Sequence, residues 1–434
     1  MNGKQESSRR RFLRHTARAV VAGAAVGSMP NLAAMTRVPG PRTFKVALVG
    51  CGNRGNGALR DHLEAAKYLN EKLGWNLEIQ VVATADWFVD KARAAGNRHG
   101  VGEELCFGGA DAYRKAIEAG PDIVLMGQPP AFRPPHFEAA IEAGKHVFFE
   151  KPSAVDPPGV RRVIQAGEQA TEQGLSVVAG TQRRHQENYN RRALEIKDGA
   201  RGRIVGGRVA WNMGHIFGKQ PINPQGPDDL CRNWHVWVET SGDHICEQHV
   251  HNIDIANWFL GAHPISAGGF GGRARRPGGN MYDFFSVDFE YPGGIHIHSM
   301  CRQIAGCWNW VGEDLEFERD KPGDFQIQSP DPYADVGYHK SGYVSEHAHL
   351  LHAIVNDKPI NEARQVAEST GTAIMGRESA YTGKRITWEE MYENPDEDPE
   401  MYNLTLKPAA DDFETGEVVI PEEGEVRIPG VAAK

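Results

Sequence analysis

Cysteine is scarce in this chain, with six residues among 434. This sparse spacing excludes a small disulfide scaffold, and whether Cys301 and Cys307 form a single bond stays open. No stretch reaches the roughly 20 apolar residues that a membrane-spanning helix needs. Basic charge is also in deficit, and the formal net charge of −9 argues against nucleic acid and anionic membranes as partners. The remaining composition, 40% hydrophobic and 24% charged, is that of a globular protein with room for two or three domains.

The first 35 residues have the three parts of a signal peptide. A basic segment, "SRRRFLR" (8–14), precedes a short apolar core, "AVVAGAAV" (19–26), and the small-residue stretch "PNLAA". The basic segment closely resembles the twin-arginine export consensus, whereas a disordered basic tail would need only the arginines. We expect the export machinery of that route to be a partner and the protein to be periplasmic. An uncleaved signal would leave it tethered to the membrane.

The rest of the chain has two parts that differ in their pattern of predicted strands and helices. From Phe44, apolar strands alternate with helical segments, which predicts an α/β fold with a doubly wound parallel sheet. From Ile204, strands such as "FFSVDFEY" follow one another without helices, which predicts an open, mostly antiparallel sheet in an α+β domain. We expect a Rossmann domain over 43–185, a substrate-binding open-sheet domain over 186–393 and an acidic C-terminal tail over 394–434. The tail, with a strand-like "GEVVI", is either an arm on a neighbouring subunit or a solvated terminus.

A glycine-rich turn follows the first apolar strand and opens a helix. Gly50, Gly52 and Gly55 form a G-x-G-x-x-G, in which the first glycine allows the tight turn and the second admits a pyrophosphate. The third lets the helix pack closely on the strand, and the helix N-terminus attracts phosphate. Asp86 ends the second strand, where a carboxylate accepts hydrogen bonds from ribose hydroxyls and repels a 2′-phosphate. These residues predict NAD rather than NADP as the cofactor, the alternative being a glycine turn without a ligand.

Three segments resemble the Gfo/Idh/MocA oxidoreductases. They are "DIVLMGQPPAFRPPHFEAAIEAGKHVFFEKP" (122–152), "GTQRRH" (180–185) and "SGDHICEQHVHNIDIANWFLG" (241–261). The resemblance implies an NAD(P)-dependent enzyme acting on sugars, cyclitols or related polyols, with Lys151 beside the nicotinamide and His251 facing it from the second domain. Two departures are Glu247, where the family usually has aspartate, and an extra histidine, His249. The expected cofactor-binding residues are Gly50, Gly52, Asn53, Arg54, Gly55, Asp86, Gln128, Pro129, Glu150 and Lys151.

Acid/base chemistry is expected from residues of the third segment together with Lys151. On a regular helix, Glu247, His251 and Asp254 lie at i, i+4 and i+7 and share one face. We expect Lys151 and His251 to share general acid/base work and Glu247 or Asp254 to orient them, the alternatives being a packed histidine and a surface lysine. No metal site is expected, because histidines two residues apart point to different helix faces. Expected substrate-binding residues are Arg183, Tyr189, His215, Trp234 and His235.

Export and dinucleotide binding together constrain the function. The periplasm is not expected to hold usable NAD, so the cofactor is expected to be loaded before export, tightly bound and recycled in place. The sequence thus predicts an NAD-dependent oxidoreductase acting on a sugar or glycoside hydroxyl, at C3, in a homo-oligomer of two or four subunits. One alternative is a redox-neutral glycoside hydrolase that oxidises C3 transiently and eliminates the aglycone. A second is a non-catalytic sugar-binding protein.

Overall fold

The computed structural model describes residues 41–214, 224–320, 322 and 325–431. The predicted signal peptide, residues 1–35, and His215 lie outside these ranges. The described residues fall within one compact unit of the chain. Within these ranges, no helix combines the length and the apolarity needed to span a bilayer.

Twelve strands are described, and they form two six-stranded sheets. Their bounds are β1 Arg42–Val49, β2 Leu77–Asp86, β3 Cys106–Gly108, β4 Ile123–Met126, β5 His146–Phe149, β6 Val177–Ala179, β7 Ile204–Met213, β8 Ser266–Gly272, β9 Phe284–Tyr291, β10 Ile295–Gln303, β11 Trp310–Phe317 and β12 Ile386–Thr387.

Helices connect the strands of the first sheet and cover the second. The α-helices are α1 Asn53–Leu73, α2 Val89–Arg98, α3 Ala112–Glu118, α4 Arg133–Glu142, α5 Pro157–Glu172, α6 Glu187–Lys197, α7 Pro227–Arg232, α8 Val238–Ser241, α9 Val250–Leu260, α10 Gly342–Val355, α11 Ala363–Thr382, α12 Pro399–Tyr402 and α13 Ala410–Thr415.

The first sheet confirms the predicted Rossmann fold. Its strand order is β3-β2-β1-β4-β5-β6, and every pairing in it is parallel. The apolar end of β1, residues 46–49, is buried because helices cover both faces of a doubly wound sheet. The strand order reverses direction between β1 and β4, and ligands of such sheets bind at the carboxyl ends of the strands at this point.

The second sheet confirms the predicted open, mostly antiparallel domain. Its order is β11-β7-β10-β9-β8-β12, and only the β7–β10 pair is parallel. Alternate residues of β9, Phe285, Val287, Phe289 and Tyr291, are buried, as the two-residue period of a strand requires when one face is covered. Helices α9 and α11 pack on this buried face.

The chain returns to the first sheet after β11, before it adds the last strand, β12, to the second sheet. Helix α10 packs along α1, where the Nδ1 atoms of His62 and His347 lie 3.2 Å apart. The ring of His352 stacks on Trp75 with centroids 5.5 Å apart. A helix from a late part of the sequence therefore covers one face of the Rossmann sheet.

The acidic tail packs along its own chain. The backbone nitrogen of Leu406 donates to Asp156, and Arg161 donates to the carbonyl of Tyr402. The prediction of a strand at "GEVVI" is wrong, because residues 416–420 form no strand. Instead, Val418 and Ile420 pack partly buried against a cluster around Phe413, so tertiary contacts outweigh their β propensity.

Candidate active site

Two glycines of the turn are sterically crowded, and the third faces open space. Gly50 has φ +88°, and a Cβ there would overlap the backbone nitrogen of Gln128. A Cβ on Gly55 would overlap the carbonyl oxygen of Gly50. At Gly52, by contrast, a Cβ would meet nothing within 4 Å. The turn therefore leaves room above Gly52, at the N-terminus of α1, where a pyrophosphate fits.

A groove runs from this turn along the carboxyl ends of β1, β2 and β4. Gly50, Gly52, Asp86, Gln128 and Pro129 line it. Both polar side-chain atoms of Gln128 are buried without a hydrogen-bond partner in the protein. Because a buried amide normally satisfies its hydrogen bonds, this side chain fits a polar ligand in the groove. We call this space the dinucleotide groove.

The carboxylate of Asp86 is held in place by two backbone donors. One oxygen accepts from the nitrogen of Cys51 at 2.8 Å and the other from the nitrogen of Phe88 at 2.9 Å. A carboxylate oxygen has two acceptor positions, so each retains one for a ribose hydroxyl. The groove therefore fits a dinucleotide by three independent features, which are the open turn, the unsatisfied Gln128 and the oriented Asp86.

Two expected cofactor residues contact each other instead of lining the dinucleotide groove. Arg54 pairs with Glu150 at 2.8 Å and with Asp61 at 2.8 Å, and its guanidinium lies 4.8 Å from the ring centroid of Tyr343. Burial raises the pKa of Glu150, and the nearby Arg54 opposes that shift. Both side chains therefore brace the phosphate turn from behind, and Asn53 begins α1 on its exposed side.

Lys151 joins the two sheets. It follows β5, and its Nζ donates to the backbone carbonyl of Glu247 and lies 3.3 Å from Oε1 of the same residue. The two side chains are 12% and 15% exposed, so both are mostly enclosed. The expected position of Lys151, at the carboxyl end of a Rossmann strand beside the second domain, is where the structure places it.

The helix that carries His251 does not begin as a regular α-helix. Residues Ile245–His249 form a π-helical turn, and α9 starts only at Val250. The assumed spacing of 3.6 residues per turn therefore does not hold between Glu247 and His251. Wide turns of this kind recur at functional sites. Here the turn brings the backbone carbonyl and the carboxylate of Glu247 to the same ammonium group.

Asp254 has partners other than Lys151 and His251. Its two oxygens accept from the guanidinium of Arg184 at 2.9 Å each, and one also accepts from the hydroxyl of Ser369 at 2.8 Å. Asp254 and Arg184 are both buried. The carboxylate is therefore committed to an ion pair that ties α9 to the segment after β6, a role different from the orientation expected for it.

His251 is enclosed and neutral. The residue is 8% exposed, and its ring stacks on Trp211 with centroids 5.9 Å apart. Burial lowers its pKa well below 6.5, and the positive charges of Lys151 and Arg183 lower it further. A neutral imidazole can accept a proton, which is the state that a general base needs.

A buried carboxylate that the sequence did not single out organises the expected substrate residues. Glu313 on β11 pairs with Arg183, and it accepts from Tyr189 at 3.2 Å and from Asn252 at 2.7 Å. Its side chain is only 4% exposed. Arg183 and Tyr189, both expected at the substrate, therefore share one carboxylate, whose only sequence signal is an acidic residue inside a strand.

The remaining expected residues divide between two places. Trp234, expected at the substrate, lines the dinucleotide groove, and His235 adjoins it with ring centroids 6.0 Å apart.

The potential metal ligands before α9 have other partners. His249 hydrogen bonds with Ser299 at 2.8 Å, and Asp243 accepts from the hydroxyl of Tyr381 at 2.6 Å. Over the described ranges, no three His, Cys, Asp or Glu side chains are grouped so as to hold a metal ion.

The two sheets, the dinucleotide groove and the Lys151–Glu247 pair define a two-domain protein of the NAD-binding oxidoreductase class. Residues 44–179 match the model of the GFO/IDH/MocA oxidoreductase family, described as an NAD-binding Rossmann fold. Residues 195–318 match that of the GFO/IDH/MocA C-terminal domain. The two matches cover more than half of the chain, which therefore belongs to the GFO/IDH/MocA family. The resemblance, the fold class and the NAD-binding domain are thus confirmed.

Similar proteins of known sequence are inositol dehydrogenases. Inositol 2-dehydrogenase 3 of Saccharopolyspora erythraea is 31% identical over 225 residues, which are 52% of this chain and 56% of that protein. An inositol 2-dehydrogenase of Klebsiella pneumoniae is 36% identical over 183 residues, or 42% of this chain and 46% of that protein. The chain thus spans about half the length of the curated relatives it matches.

Similar solved structures share the fold at low identity. The WlbA dehydrogenase from Bordetella pertussis, in complex with NADH and UDP-GlcNAcA, has a TM-score of 0.61 at 18% identity over 80% of this chain and 99% of that one. The aldose-aldose oxidoreductase from Caulobacter crescentus, complexed with glycerol, has a TM-score of 0.58 at 16% identity over 80% of this chain and 100% of that one. Both likenesses confirm the two-domain architecture.

Proposed function

We propose that this protein is an NAD-dependent oxidoreductase that oxidises a secondary hydroxyl of a neutral sugar, cyclitol or glycoside, at C3 where the substrate is a pyranose. The observation that carries the proposal is the contact of Lys151 with Glu247, 3.3 Å between Nζ and Oε1. This contact brings the carboxyl end of β5, beside the dinucleotide groove, to the helix that holds His251. The inositol dehydrogenases and sugar enzymes among the similar proteins support the substrate class.

The two polar groups divide the proton chemistry between them. The Lys151 ammonium, held by the carbonyl and carboxylate of Glu247, donates a hydrogen bond to the substrate oxygen and stabilises negative charge there. Neutral His251 accepts the hydroxyl proton at a ring nitrogen. Bound NAD supplies the acceptor for the hydride that leaves the same carbon. The carbonyl product, one proton on His251 and one reduced cofactor balance the reaction.

Charge pairing supports a neutral substrate. The two cations that lower the pKa of His251 each have a carboxylate of their own, Lys151 with Glu247 and Arg183 with Glu313. A sugar acid would need a cation without a counter-charge to offset its desolvation. A neutral polyol needs only hydrogen-bond donors and acceptors, and paired side chains keep several of these.

The proposal includes export by the twin-arginine route with NAD retained and recycled in place. Its support is the "SRRRFLR" segment together with the dinucleotide groove. Recycling has two forms. Either a second carbonyl substrate collects the hydride, or the same substrate takes it back after losing an aglycone, which would make the protein a redox-neutral glycosidase.

One experiment separates these forms. Protein purified without added nucleotide is denatured and its NAD(H) quantified, and intact protein is then incubated with myo-inositol, glucose and a nitrophenyl glucoside. Absorbance at 340 nm without nitrophenol release supports the oxidoreductase, whereas nitrophenol release without net NADH supports the glycosidase. NADP(H) in place of NAD(H), or no reaction with any neutral polyol while a uronic acid reduces the cofactor, contradicts the proposal. An empty protein that needs added NAD contradicts the retained cofactor alone.

A further inference from the structure

The dinucleotide groove has a wall that the Rossmann sheet does not supply. Cys231 of α7 and Trp234, just after that helix, line the groove together with the glycine turn. The same helix holds the segment that follows β2. The indole nitrogen of Trp87 donates to Asp228 at 2.7 Å, and the guanidinium of Arg232 lies 4.3 Å from the ring centroid of Phe88.

The C-terminal segment supports this wall from behind. Phe413 of α13 is 4% exposed and packs edge-on against Trp87 and Phe132, with centroids 5.4 and 4.9 Å apart. Trp87 and Phe132 both line the groove, whereas Phe413 does not. Phe413 therefore fixes two lining rings without contributing lining surface itself.

A second contact of α13 reaches the groove through another ring. Glu414 accepts from the hydroxyl of Tyr113 at 2.9 Å and pairs with Arg114 at 3.4 Å. The ring of Tyr113 stacks on His136 with centroids 3.7 Å apart, and both rings line the groove. A helix of six residues is not stable by itself in water, so these tertiary contacts decide where α13 lies.

We propose that α7 and residues 410–420 form a wall over the adenosine half of the dinucleotide groove and slow the exchange of NAD. This inference rests on the proposed function only in that NAD is the ligand of the groove. Entry and release of the adenosine require the wall to move, which breaks the Trp87–Asp228 hydrogen bond and separates Phe413 from Trp87. A contact that must break in both directions slows association and dissociation alike.

Phe413→Ala is the test variant, because it loosens the wall and removes no surface that lines the groove. The full chain is loaded with NADH, and release is followed by NADH fluorescence after addition of excess NAD. Binding of NADH to emptied protein is followed in the same way. We expect both rate constants to rise at least tenfold in the variant, while Kd changes less than threefold. The matched control is Leu404→Ala, an exposed residue of the same tail that does not contact the groove, and its rates should equal those of the wild type.

Asp228→Ala provides a second variant if Phe413→Ala does not fold. It removes the acceptor of the Trp87 hydrogen bond and changes no residue that lines the groove, so both rates should again rise. Unchanged release in a folded variant overturns the wall. So does faster release with unchanged association, which indicates lost affinity instead of a loosened wall. The exchange measurement needs no substrate, so the wall and the proposed reaction can fail separately. Slow NAD exchange in a protein that oxidises no sugar refutes only the proposed reaction. Fast NAD exchange in an active enzyme refutes only the wall.

Discussion

The ion pair between Arg184 and Asp254 allows a direct test of whether the Asp254 carboxylate is structural or catalytic. Asp254→Asn keeps the side-chain shape but removes the charge that faces a buried guanidinium. Asp254 is 1% exposed and accepts three hydrogen bonds, two from Arg184 and one from Ser369. Removing one partner of such a pair leaves a buried uncompensated charge, which costs about 3–5 kcal/mol. Gln365, 3.0 Å from the guanidinium, keeps one of its hydrogen bonds, so the lower part of that range is expected.

The assay is thermal unfolding of the purified chain. Unfolding entropy is about 2.1 cal/mol/K per residue, hence about 0.8 kcal/mol/K for roughly 400 residues, so a loss of about 3–5 kcal/mol lowers Tm by about 4–6 °C. Ser369→Ala, which removes one neutral hydrogen bond, should cost only about 1 kcal/mol and lower Tm by about 1 °C. The rate of cofactor reduction per folded molecule should stay within about threefold in both variants. An unchanged Tm with a collapsed rate in Asp254→Asn would refute the structural assignment and restore the catalytic one.

Three further outcomes are expected. Lys151→Met should lower the rate of NADH formation in a single turnover by about 10²–10⁴-fold and leave NADH affinity nearly unchanged, and a near-normal rate would end its assignment. Asp86→Ser should improve NADP binding relative to NAD by at least about tenfold in a titration, since a carboxylate no longer faces the 2′-phosphate, and an unchanged ratio would show that Asp86 does not read the ribose. Burial lowers the pKa of His62 to about 3, against 6.5 when unfolded, so its contribution to stability is complete above pH 6.5 and is lost as pH falls toward 3. Burial raises the pKa of Glu346, which acts in the opposite direction, so the comparison is between the wild type and His62→Gln. The slopes of their unfolding free energies should differ by about 1.4 kcal/mol per pH unit below 6.5, and parallel curves would contradict the assignment.

Local patterns were sufficient to predict the Rossmann half. A buried strand, a glycine turn and an acidic residue at the end of the next strand each follow from short-range sequence, and Gly50, Gly52 and Asp86 line the groove as expected. The placement of Lys151 follows equally from its position after β5.

Long-range contacts could not be predicted in this way. Glu313 resembles any acidic residue in a strand until Arg183 and Asn252 reach it from elsewhere in the chain. Because residues before α9 form a π-helical turn, a prediction of side-chain positions from 3.6 residues per turn is wrong there. The role of Asp254 depends on Arg184, 70 residues away. Each failure has the same physical cause, which is that partner choice depends on tertiary packing and not on local periodicity.

The late position of Phe413 in the chain also affects the order of events during synthesis. The strands of the Rossmann sheet are complete at Ala179, and Phe413 follows about 230 residues later. At a translation rate of about 5–20 residues per second, this interval lasts on the order of 10–50 s. During that time, a nascent Rossmann domain lacks the ring that packs behind Trp87. Cytoplasmic NAD can enter the open groove in this interval. Loading during synthesis can therefore be fast even if the finished protein exchanges its cofactor slowly.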